Sequence, residues 1–226
     1  MDADQGNPLR SRLLDALPSL DLDAATQILS SCPAIEVAAG EPYFRSSLPP
    51  GELLVVERGF VVLRARSPGM GRAIITCEGG PGRILLPPAP DEVVVGLVDS
   101  RLTAISDESL DALVARPSAA KALLEQLATT LAQNHEALGT FGSTRHVERV
   151  RRKLLQLARN YGRVVRDGIR IDFPISHMVI ADMVGSSRET VTRALDELQR
   201  DGFVARRGRS YRLLVTPDCV ASATLP

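Results

Sequence analysis

The sequence predicts an α+β protein made of two modules joined by a long helix, and three observations predict it. Short β-branched runs separated by Gly and Pro clusters occupy residues 34–106, which is typical of an antiparallel barrel or sandwich. A helical segment with apolar residues alternately three and four apart follows at 117–141. Residues 1–142 hold 11 Lys and Arg against 18 Asp and Glu, whereas residues 143–226 hold 16 against 9, so the two parts carry net charges of −7 and +7.

Composition bounds the class of protein. The chain has 226 residues, of which 44% are apolar and 24% charged, as is ordinary for a globular protein with one or two cores. No apolar run approaches the roughly 20 residues that span a bilayer. The start, MDADQGNPLR, lacks the basic and apolar segments of a signal peptide. We therefore expect a cytoplasmic protein without a membrane partner.

The cysteines predict neither a metal site nor a disulfide framework. Cys32, Cys77 and Cys219 are odd in number, widely spaced and without a C-x-x-C pair. The three histidines also lie apart in sequence, and no nucleophile–base pair or carboxylate dyad stands out. The sequence therefore predicts no catalytic residues, no metal ligands and no cofactor, and we expect a protein that is not an enzyme. An enzyme or small-molecule carrier with an accessory DNA-binding domain is the remote alternative.

The first module, residues 1–116, is predicted to contain N-terminal helices and a β-rich unit. A helical pattern runs over residues 9–31. Strands are predicted at ELLVVE, FVVLRA, AIITCE, VVVGLV and RLTAI, with Gly- and Pro-rich turns between them. GMGRA and GGPG are superficially like phosphate-binding loops, but neither opens a helix. We therefore interpret both as hairpin turns.

A helix and a hinge are predicted over residues 117–142. The apolar positions of PSAAKALLEQLATTLAQNHEALGTF have the spacing of a coiled-coil seam, with one polar residue on it. A polar seam residue commonly sets register and oligomer state. We expect a parallel homodimer, although a helix buried within one chain could carry the same stripe. The predicted interface residues are Leu124, Leu127, Leu131, Asn134, Leu138 and Phe141.

The second module, residues 143–226, is predicted to be a winged helix-turn-helix. The helix TRHVERVRRKLLQLARNYG leads into two strands around Asp167-Gly168, a dipeptide that favours a hairpin turn. Two short helices, SHMVIADMVG and SSRETVTRALDELQRDGF, and a last hairpin, VARRGRSYRLLV, follow. The order helix, hairpin, helix, turn, helix, hairpin is that of a winged helix-turn-helix.

Within this module the turn and the caps can be assigned to residues. Ser176 is the predicted N-cap of the first helix, and Ile180, Ala181 and Val184 form its buried side. Gly185 supplies the turn, because a left-handed backbone costs glycine little. Ser186 is the predicted N-cap of the second helix, with Glu189 three residues later. The buried stripe of that helix is predicted to be Val191, Ala194, Leu195 and Leu198, and Gly202 ends it.

The stripe leaves Arg188, Glu189, Thr192 and Arg193 on the outer side of the first two turns. Glu189 could serve only as a capping partner, and i,i+4 pairs could make this a solvated face. The charge of +7, the wing tip RRGR at 206–209 and the upstream seam favour DNA instead.

Side-chain chemistry suggests the role of each candidate residue. Arginine is suited to guanine O6 and N7, and glutamate can accept from cytosine N4. The predicted base-reading residues are Arg188, Glu189 and Arg193. The predicted phosphate contacts are Ser187, Thr190, Arg207 and Arg209, with backbone N–H groups at the helix N-terminus assisting.

ISHMVIADMVGSSRETVTRALDELQRDGFV resembles the DNA-binding domain of the cyclic-AMP receptor protein/FNR superfamily of bacterial transcription regulators. More weakly, GELLVVERGFVVL is similar to the central strands of its effector-binding β-roll, and the 117–141 helix to its dimerisation helix. The resemblance implies a homodimer on a palindromic double-stranded DNA site with GTGA-like half-sites, acting with RNA polymerase. It places Arg188, Glu189 and Arg193 at the base-reading positions of the cyclic-AMP receptor branch. Thr192 stands where the FNR branch has serine.

The sensor module departs from the resembled pattern. Cyclic-nucleotide binders carry an FGE turn and a downstream R-S/T pair, and the stretch from Gly79 to Ile105 has neither. Without these partners a buried phosphate would lack compensation. We therefore expect a degenerate pocket and a regulator that is ligand-independent or has an unknown, non-cyclic-AMP small-molecule effector. By resemblance, Asn134 and His135 fall where the dimer helix touches an effector.

A haem- or redox-dependent sensor of the same superfamily remains the alternative. His135 could be a haem ligand or an effector contact, but such a histidine is more commonly a solvated or packed helix residue. The N-terminal cysteine cluster that holds an iron–sulfur centre in FNR-type members is absent from the sequence.

Overall fold

A computed structural model describes residues 28, 30–51, 53–66, 72–141 and 145–216, apart from the side chains of 133 and 136–141. The helical pattern predicted over 9–31 lies outside this part, except for residues 28, 30 and 31. The chain divides into two compact units, residues 1–65 with 76–134 and residues 66–75 with 135–226. The predicted α+β architecture is confirmed, with a β-rich N-terminal unit, helices and a C-terminal helix-turn-helix unit.

The first unit is a β-roll of two four-stranded sheets. One sheet has the order β1-β8-β3-β6 and the other β2-β7-β4-β5. The strand pairs with a described register are antiparallel. They are β1–β8, β3–β8 and β3–β6 in the first sheet, and β2–β7 and β4–β7 in the second. The strands are β1 (Ala34–Val37), β2 (Pro42–Phe44), β3 (Leu53–Arg58), β4 (Val61–Arg66), β5 (Ala73–Gly79), β6 (Ile84–Leu85), β7 (Glu92–Gly96) and β8 (Ser100–Ile105). Strands β3, β4, β5, β7 and β8 match the predicted runs, whereas β1, β2 and β6 were not predicted.

Successive side chains of strand β3 point to opposite faces of the sheet and contribute to two different hydrophobic clusters. Leu54 and Val56 point between the sheets and meet Leu63 of β4 and Val94 of β7. Their neighbours Leu53 and Val55 point outwards into a second cluster. That cluster also contains Leu113, Ala119, Ala122 and Leu123 from two helices, α1 (Asp107–Val114) and α2 (Pro117–Phe141). The predicted bounds of the long helix, 117–141, agree with those of α2.

The β3–β4 turn shows why glycine is needed at position 59. Its backbone has φ of 87°, and a Cβ there would lie 2.2 Å from Ser100 Oγ. That hydroxyl instead accepts the N–H of Phe60 at 3.0 Å. A side chain at this position would therefore be strained by both its backbone and its neighbour.

The second unit contains three helices and a four-stranded sheet of order β11-β12-β10-β9. Helix α3 packs on α4 and α5, and its buried residues include Val150, Leu154 and Leu157. The hairpin turn lies at Arg166–Asp167, because Val165 pairs with Gly168, which begins β10. The predicted turn at Asp167-Gly168 was therefore one residue late. The elements are α3 (His146–Tyr161), β9 (Gly162–Val165), β10 (Gly168–Ile171), α4 (His177–Val184), α5 (Arg188–Arg200), β11 (Val204–Arg207) and β12 (Ser210–Leu213).

No helix in the described residues combines the length and apolar content needed to cross a bilayer.

Candidate nucleic-acid interface

Helices α4 and α5 form a helix-turn-helix whose turn is made by glycine. Ser176 caps α4, since its hydroxyl accepts the N–H of Val179 at 3.2 Å. Gly185 ends the helix with φ of 61° and ψ of 41°, a left-handed conformation that is strained for residues with a Cβ. The N–H of Ser186 then donates to Ala181 O at 3.0 Å. The predicted cap at Ser176 and turn at Gly185 are confirmed.

The cap of α5 corrects the sequence prediction. Ser187, not Ser186, has the extended backbone of an N-cap, and its hydroxyl accepts the N–H of Thr190 at 3.2 Å. Ser186 is buried, and its hydroxyl lies 2.8 Å from His146 Nδ1. Glu189 is consequently the second residue of the helix rather than the third, so the predicted Ser186–Glu189 capping box does not form. The chain needs one further residue after the left-handed glycine before α5 begins.

Helix α5 has one buried and one exposed side. Its buried residues are Val191, Ala194, Leu195 and Leu198, as predicted. Arg188, Glu189 and Arg193 are exposed, and Thr192 is half-buried. Neither Glu189 with Arg193 nor Asp196 with Arg200 forms an ion pair in the described structure. The first two turns of α5 therefore present two guanidinium groups and one carboxylate to solvent.

The helix N-terminus stabilises the charge of Glu189. Its carboxylate accepts its own backbone N–H and a hydrogen bond from Ser187, and these bonds, in that order, lower its pKa. Burial opposes them with a smaller effect than either bond, and the charges of Arg188 and Arg193 lower the pKa further. Glu189 is therefore an ionised acceptor at neutral pH, which is the form that can accept from a base amino group.

The hairpin β11–β12 adds further arginines. Arg206 is tied back, because its Nε donates to Gly208 O at 2.7 Å and its guanidinium lies 5.8 Å from the Tyr211 ring centroid. Arg207 and Arg209 are exposed, and neither has an ion pair within the described residues. The backbone of Arg209 accepts the N–H of Ile175 at 2.9 Å, which anchors the wing to the segment before α4.

Three arginines elsewhere in the second unit form ion pairs. Arg152 contacts Glu148 at 3.1 Å on α3. On the sheet, Arg170 pairs with Asp172 and Arg212 with Asp167. The arginines without an ion-pair partner among the described residues therefore include all four predicted DNA contacts of this type, Arg188, Arg193, Arg207 and Arg209. An uncompensated guanidinium is available to a polyanion such as DNA.

Two histidines, which sequence reasoning left without a role, contact this motif. His146 Nδ1 lies 2.8 Å from Ser186 Oγ, and His177 Nδ1 lies 2.8 Å from Thr192 Oγ1. These partners are 40 and 15 residues apart in sequence, so no local spacing could have revealed them. His135 of α2 is exposed.

The α2 face that carries the predicted seam is exposed. Leu124, Leu127 and Leu131 are 67%, 37% and 56% exposed, although Leu123 beside them is buried in the β-roll cluster. Asn134 is half-buried. The side chains of Leu138 and Phe141 lie outside the described part of the chain. Three large apolar side chains therefore share one solvent-exposed helix face. Their contact with water is unfavourable unless another surface covers them.

In the β-roll, several residues of the stretch that is predicted to lack a cyclic-nucleotide pocket make contacts within the fold. Ile84 and Leu85 are buried and pair with β3. Arg101 contacts Glu57 at 3.0 Å and Glu36 at 2.8 Å, so its charge is compensated within the sheet. Arg83 is buried, and its Nε has no hydrogen-bond partner among the described residues.

The described residues contain no group of three or more His, Cys, Asp and Glu side chains able to hold a metal ion. Cys32 and Cys77 are half-buried thiols, and Cys219 lies outside the described part.

Comparison with known proteins identifies the motif. Residues 148–218 match the model of the Crp-like helix-turn-helix domain. Over 182 residues the chain is 26% identical to the CRP-like cAMP-activated global transcriptional regulator of Mycobacterium tuberculosis, covering 78% of this chain and 81% of that protein. Over 94 residues it is 36% identical to the global nitrogen regulator of Synechococcus elongatus, covering 42% of each.

Solved structures share the fold. A CRP-family transcriptional regulator from Thermus thermophilus has a TM-score of 0.64 at 23% identity, covering 82% of this chain and 94% of that one. A CooA variant from Carboxydothermus hydrogenoformans has a TM-score of 0.73 at 16% identity, covering 93% and 94%. The exposed arginines, the helix-turn-helix and these similarities define a DNA-binding transcription regulator. The Crp-like domain at 148–218 and these similarities support membership of the Crp/Fnr superfamily.

Proposed function

We propose that this regulator binds a palindromic DNA site as a homodimer and reads GTGA-like half-sites with Arg188, Glu189 and Arg193. The observation that carries the proposal is the exposure of these three side chains on one side of the first half of α5, while the apolar stripe on the other side is buried. The three side chains have no ion pairs among the described residues. The N-terminal residues of a recognition helix are those that meet base edges in the major groove. Helix α5 is accordingly called the recognition helix below.

Each of the three side chains suits one type of base contact. Arg188 and Arg193 present forked donors that match the O6 and N7 acceptors of guanine. The ionised carboxylate of Glu189 accepts from the exocyclic amino group of cytosine. A half-site such as GTGA contains two guanines on one strand and two complementary cytosines on the other, so the trio matches its chemistry.

Phosphate contacts come from the cap and the wing. Ser187 donates to the Glu189 carboxylate, so Thr190 donates its proton to Ser187 Oγ across 3.0 Å. We propose that a phosphate oxygen replaces one of these acceptors, so that Ser187 and Thr190, together with Arg207 and Arg209, contact the DNA backbone. Such contacts position the protein without reading sequence.

The exposed leucine face of α2 supports a homodimer through Leu124, Leu127, Leu131 and Asn134, with Leu138 and Phe141 continuing the seam. Pairing two such helices in parallel would cover these side chains and create a two-fold axis. Two recognition helices would then meet successive major grooves about 34 Å apart. We also propose that the protein works in the cytoplasm and, by family resemblance, with RNA polymerase.

We propose further that cyclic AMP does not control this regulator, although the Mycobacterium tuberculosis relative is described as cAMP-activated. The stretch from Gly79 to Ile105 lacks the FGE and R-S/T elements, and Arg101 is already neutralised by Glu36 and Glu57. A cyclic phosphate would therefore lack the amide turn and the arginine that those two elements supply. The protein is either ligand-independent or responds to another small molecule, for which Asn134 and His135 are the candidate contacts.

Selection of preferred sites from random double-stranded DNA tests the proposal. We expect two inverted GTGA-like half-sites, recovered equally with and without cyclic AMP. A ligand present at about 100 times its Kd would stabilise the fold by about 2.7 kcal/mol, so thermal unfolding with cyclic AMP provides a second measurement. An asymmetric or absent preferred sequence would contradict the dimeric reading, and a cyclic-AMP-dependent rise in Tm would contradict the degenerate pocket.

A further inference from the structure

The N-terminal part of the recognition helix is hydrogen-bonded to histidines of two other helices. His177, the first residue of α4, contacts Thr192, which lies one turn after Arg188. His146, the first residue of α3, contacts Ser186, the residue before the helix cap. The base-reading half of α5 is thus fixed to both helices that pack on it.

The hydrogen bonds of Thr192 determine which ring nitrogen of His177 carries the proton. Thr192 Oγ1 donates its only proton to Arg188 O at 2.9 Å. It must therefore accept from the imidazole, and His177 Nδ1 carries the proton across the 2.8 Å contact. Nε2 is left as a buried lone pair, without a partner among the described residues. One hydroxyl thus links the start of α4 to the carbonyl of a base-reading residue.

The charges around His177 favour this neutral form. The charged groups that act on the ring come from α5 and the wing rather than from α3, namely Arg188, Asp196 and Arg206. Burial lowers the pKa of His177 most, and the charges of Arg206 and Arg188 lower it further, while Asp196 opposes them. The imidazole is consequently neutral at pH 7, with Nδ1–H directed at Thr192.

In His146, by contrast, Nδ1 is an acceptor rather than a donor. Arg149 Nη2 contacts His146 Nδ1, and a guanidinium can only donate, so Nδ1 carries the lone pair. Ser186 Oγ lies 2.8 Å from the same nitrogen, so its hydroxyl and Arg149 share the single lone pair of Nδ1. Because Ser186 is buried, this bond gives its hydroxyl a partner inside the protein. Burial, followed by the charge of Arg149, lowers the pKa of His146.

We propose that His177 and His146 are positioning residues of the recognition helix, which hold its first turns in the orientation that base reading requires. The proposal rests on the DNA-reading function proposed above. Bidentate contacts to base edges depend on the position and rotation of the helix, whereas phosphate contacts tolerate small shifts. Loss of either histidine contact should therefore reduce sequence specificity more than general DNA affinity.

Binding of labelled DNA by full-length His177 and Thr192 variants tests the first contact. We expect His177→Ala to weaken binding to the selected site by about threefold to tenfold, the size of one hydrogen bond, and to change binding to random DNA by less than about twofold. His177→Asn retains an N–H near the position of Nδ1 and should restore specific binding. Thr192→Val should behave like His177→Ala, and Thr192→Ser like the parent protein.

A double-mutant cycle separates this contact from general damage. His177→Ala combined with Thr192→Val should lose little more specificity than either change alone, because both remove the same bond. Met178→Ala is the matched control on α4, since Met178 is exposed beside His177. For the second contact, Ser186→Ala and His146→Ala should each reduce specificity, and their combination should again be non-additive.

Equal losses on specific and random DNA, additive double variants or failure of His177→Asn to restore binding would overturn the positioning role. A nitrogen NMR spectrum that places the His177 proton on Nε2 would also overturn it, and this readout needs no DNA. If His177→Ala does not fold, His177→Asn and the two Thr192 variants still decide the question. Unchanged binding by Arg188→Ala, with specificity still lost in His177→Ala, would refute the base-reading assignment and leave the positioning role standing.

Discussion

The β-roll and the winged helix-turn-helix differ in how they use their charged residues. In the β-roll, Glu36 bridges Arg58 and Arg101, and Arg101 also contacts the buried Glu57. In the recognition helix and wing, by contrast, Arg188, Arg193, Arg207 and Arg209 have no ion pair in the described structure. The first pattern compensates charge within the fold, and the second leaves positive charge for a partner.

The contrast separates two kinds of resemblance. The C-terminal unit keeps the helix-turn-helix fold, and the residues predicted to read DNA are exposed on it. The β-roll keeps the fold, with TM-scores of 0.64 and 0.73 to solved relatives, but not the sequence elements of a cyclic-nucleotide site. A shared β-roll therefore does not predict a shared effector.

Breaking the proposed dimer should have the largest effect. Leu124→Asp with Leu131→Asp places two charges on the exposed α2 face and should abolish pairing. Loss of bivalent binding should weaken affinity for the full site by about 10²–10⁴-fold. Sedimentation and DNA binding measure the two effects. Thr129→Asp, an exposed position on another side of α2, is the control, and dimers that persist in the double variant would contradict the interface.

Removal of a base-reading arginine should have the next largest effect. Arg188→Ala or Arg193→Ala should cost about 1–3 kcal/mol on the selected site and relax preference at one base pair. Binding measured over single-base variants of the site checks this. Arg200→Ala, at the exposed far end of α5, should change little. Unaltered discrimination in both arginine variants would show that the exposed face is only solvated.

The wing should act through charge alone. Arg207→Ala should weaken all DNA sequences to a similar extent and reduce the slope of log affinity against log salt by about 1. A salt titration on specific and random DNA measures both quantities. A loss confined to one base pair would instead assign base reading to Arg207.

Acid should weaken the two units in different pH ranges, and this is the smallest expected effect. Burial and neighbouring arginines lower the pKa of His146 and His177, so their contribution to stability is complete above the ordinary value of 6.5. It decreases as pH falls through 6.5, because the unfolded chain takes up protons that the folded unit resists. The hydrogen bond from Arg101 chiefly lowers the pKa of Glu36, so this contribution of the β-roll is lost only as pH falls below 4.5.

Amide hydrogen exchange at about pH 7, 5.5 and 4 distinguishes these ranges. Leu195 and Leu198 should lose protection between about pH 7 and 5.5, whereas Leu54 and Val56 should keep theirs to lower pH. The double variant His146→Asn, His177→Asn should lose the early change. Simultaneous loss of protection in both units would show that other groups control acid stability.

Local patterns in the sequence were sufficient for much of the fold and the motif. The period of α2, the buried stripe from Val191 to Leu198 and the glycine turn at 185 follow from residue types at fixed spacings. Such features depend on backbone geometry and on the burial of one helix face, which neighbouring residues specify. The positions of Arg188, Glu189 and Arg193 on the opposite face follow from the same periodicity.

Tertiary structure decided what local spacing could not. The sequence pattern predicted Ser186 as the cap of α5, but Ser186 packs against His146 and the cap is Ser187. Strands β1 and β6 have short, weak patterns and are ordered by pairing with β8 and β3. The bond from His177 to Thr192 joins separate helices, so it exists only once α4 and α5 have packed. Sequence thus determined which residues form the proposed reading face, and tertiary contacts determined how that face is held.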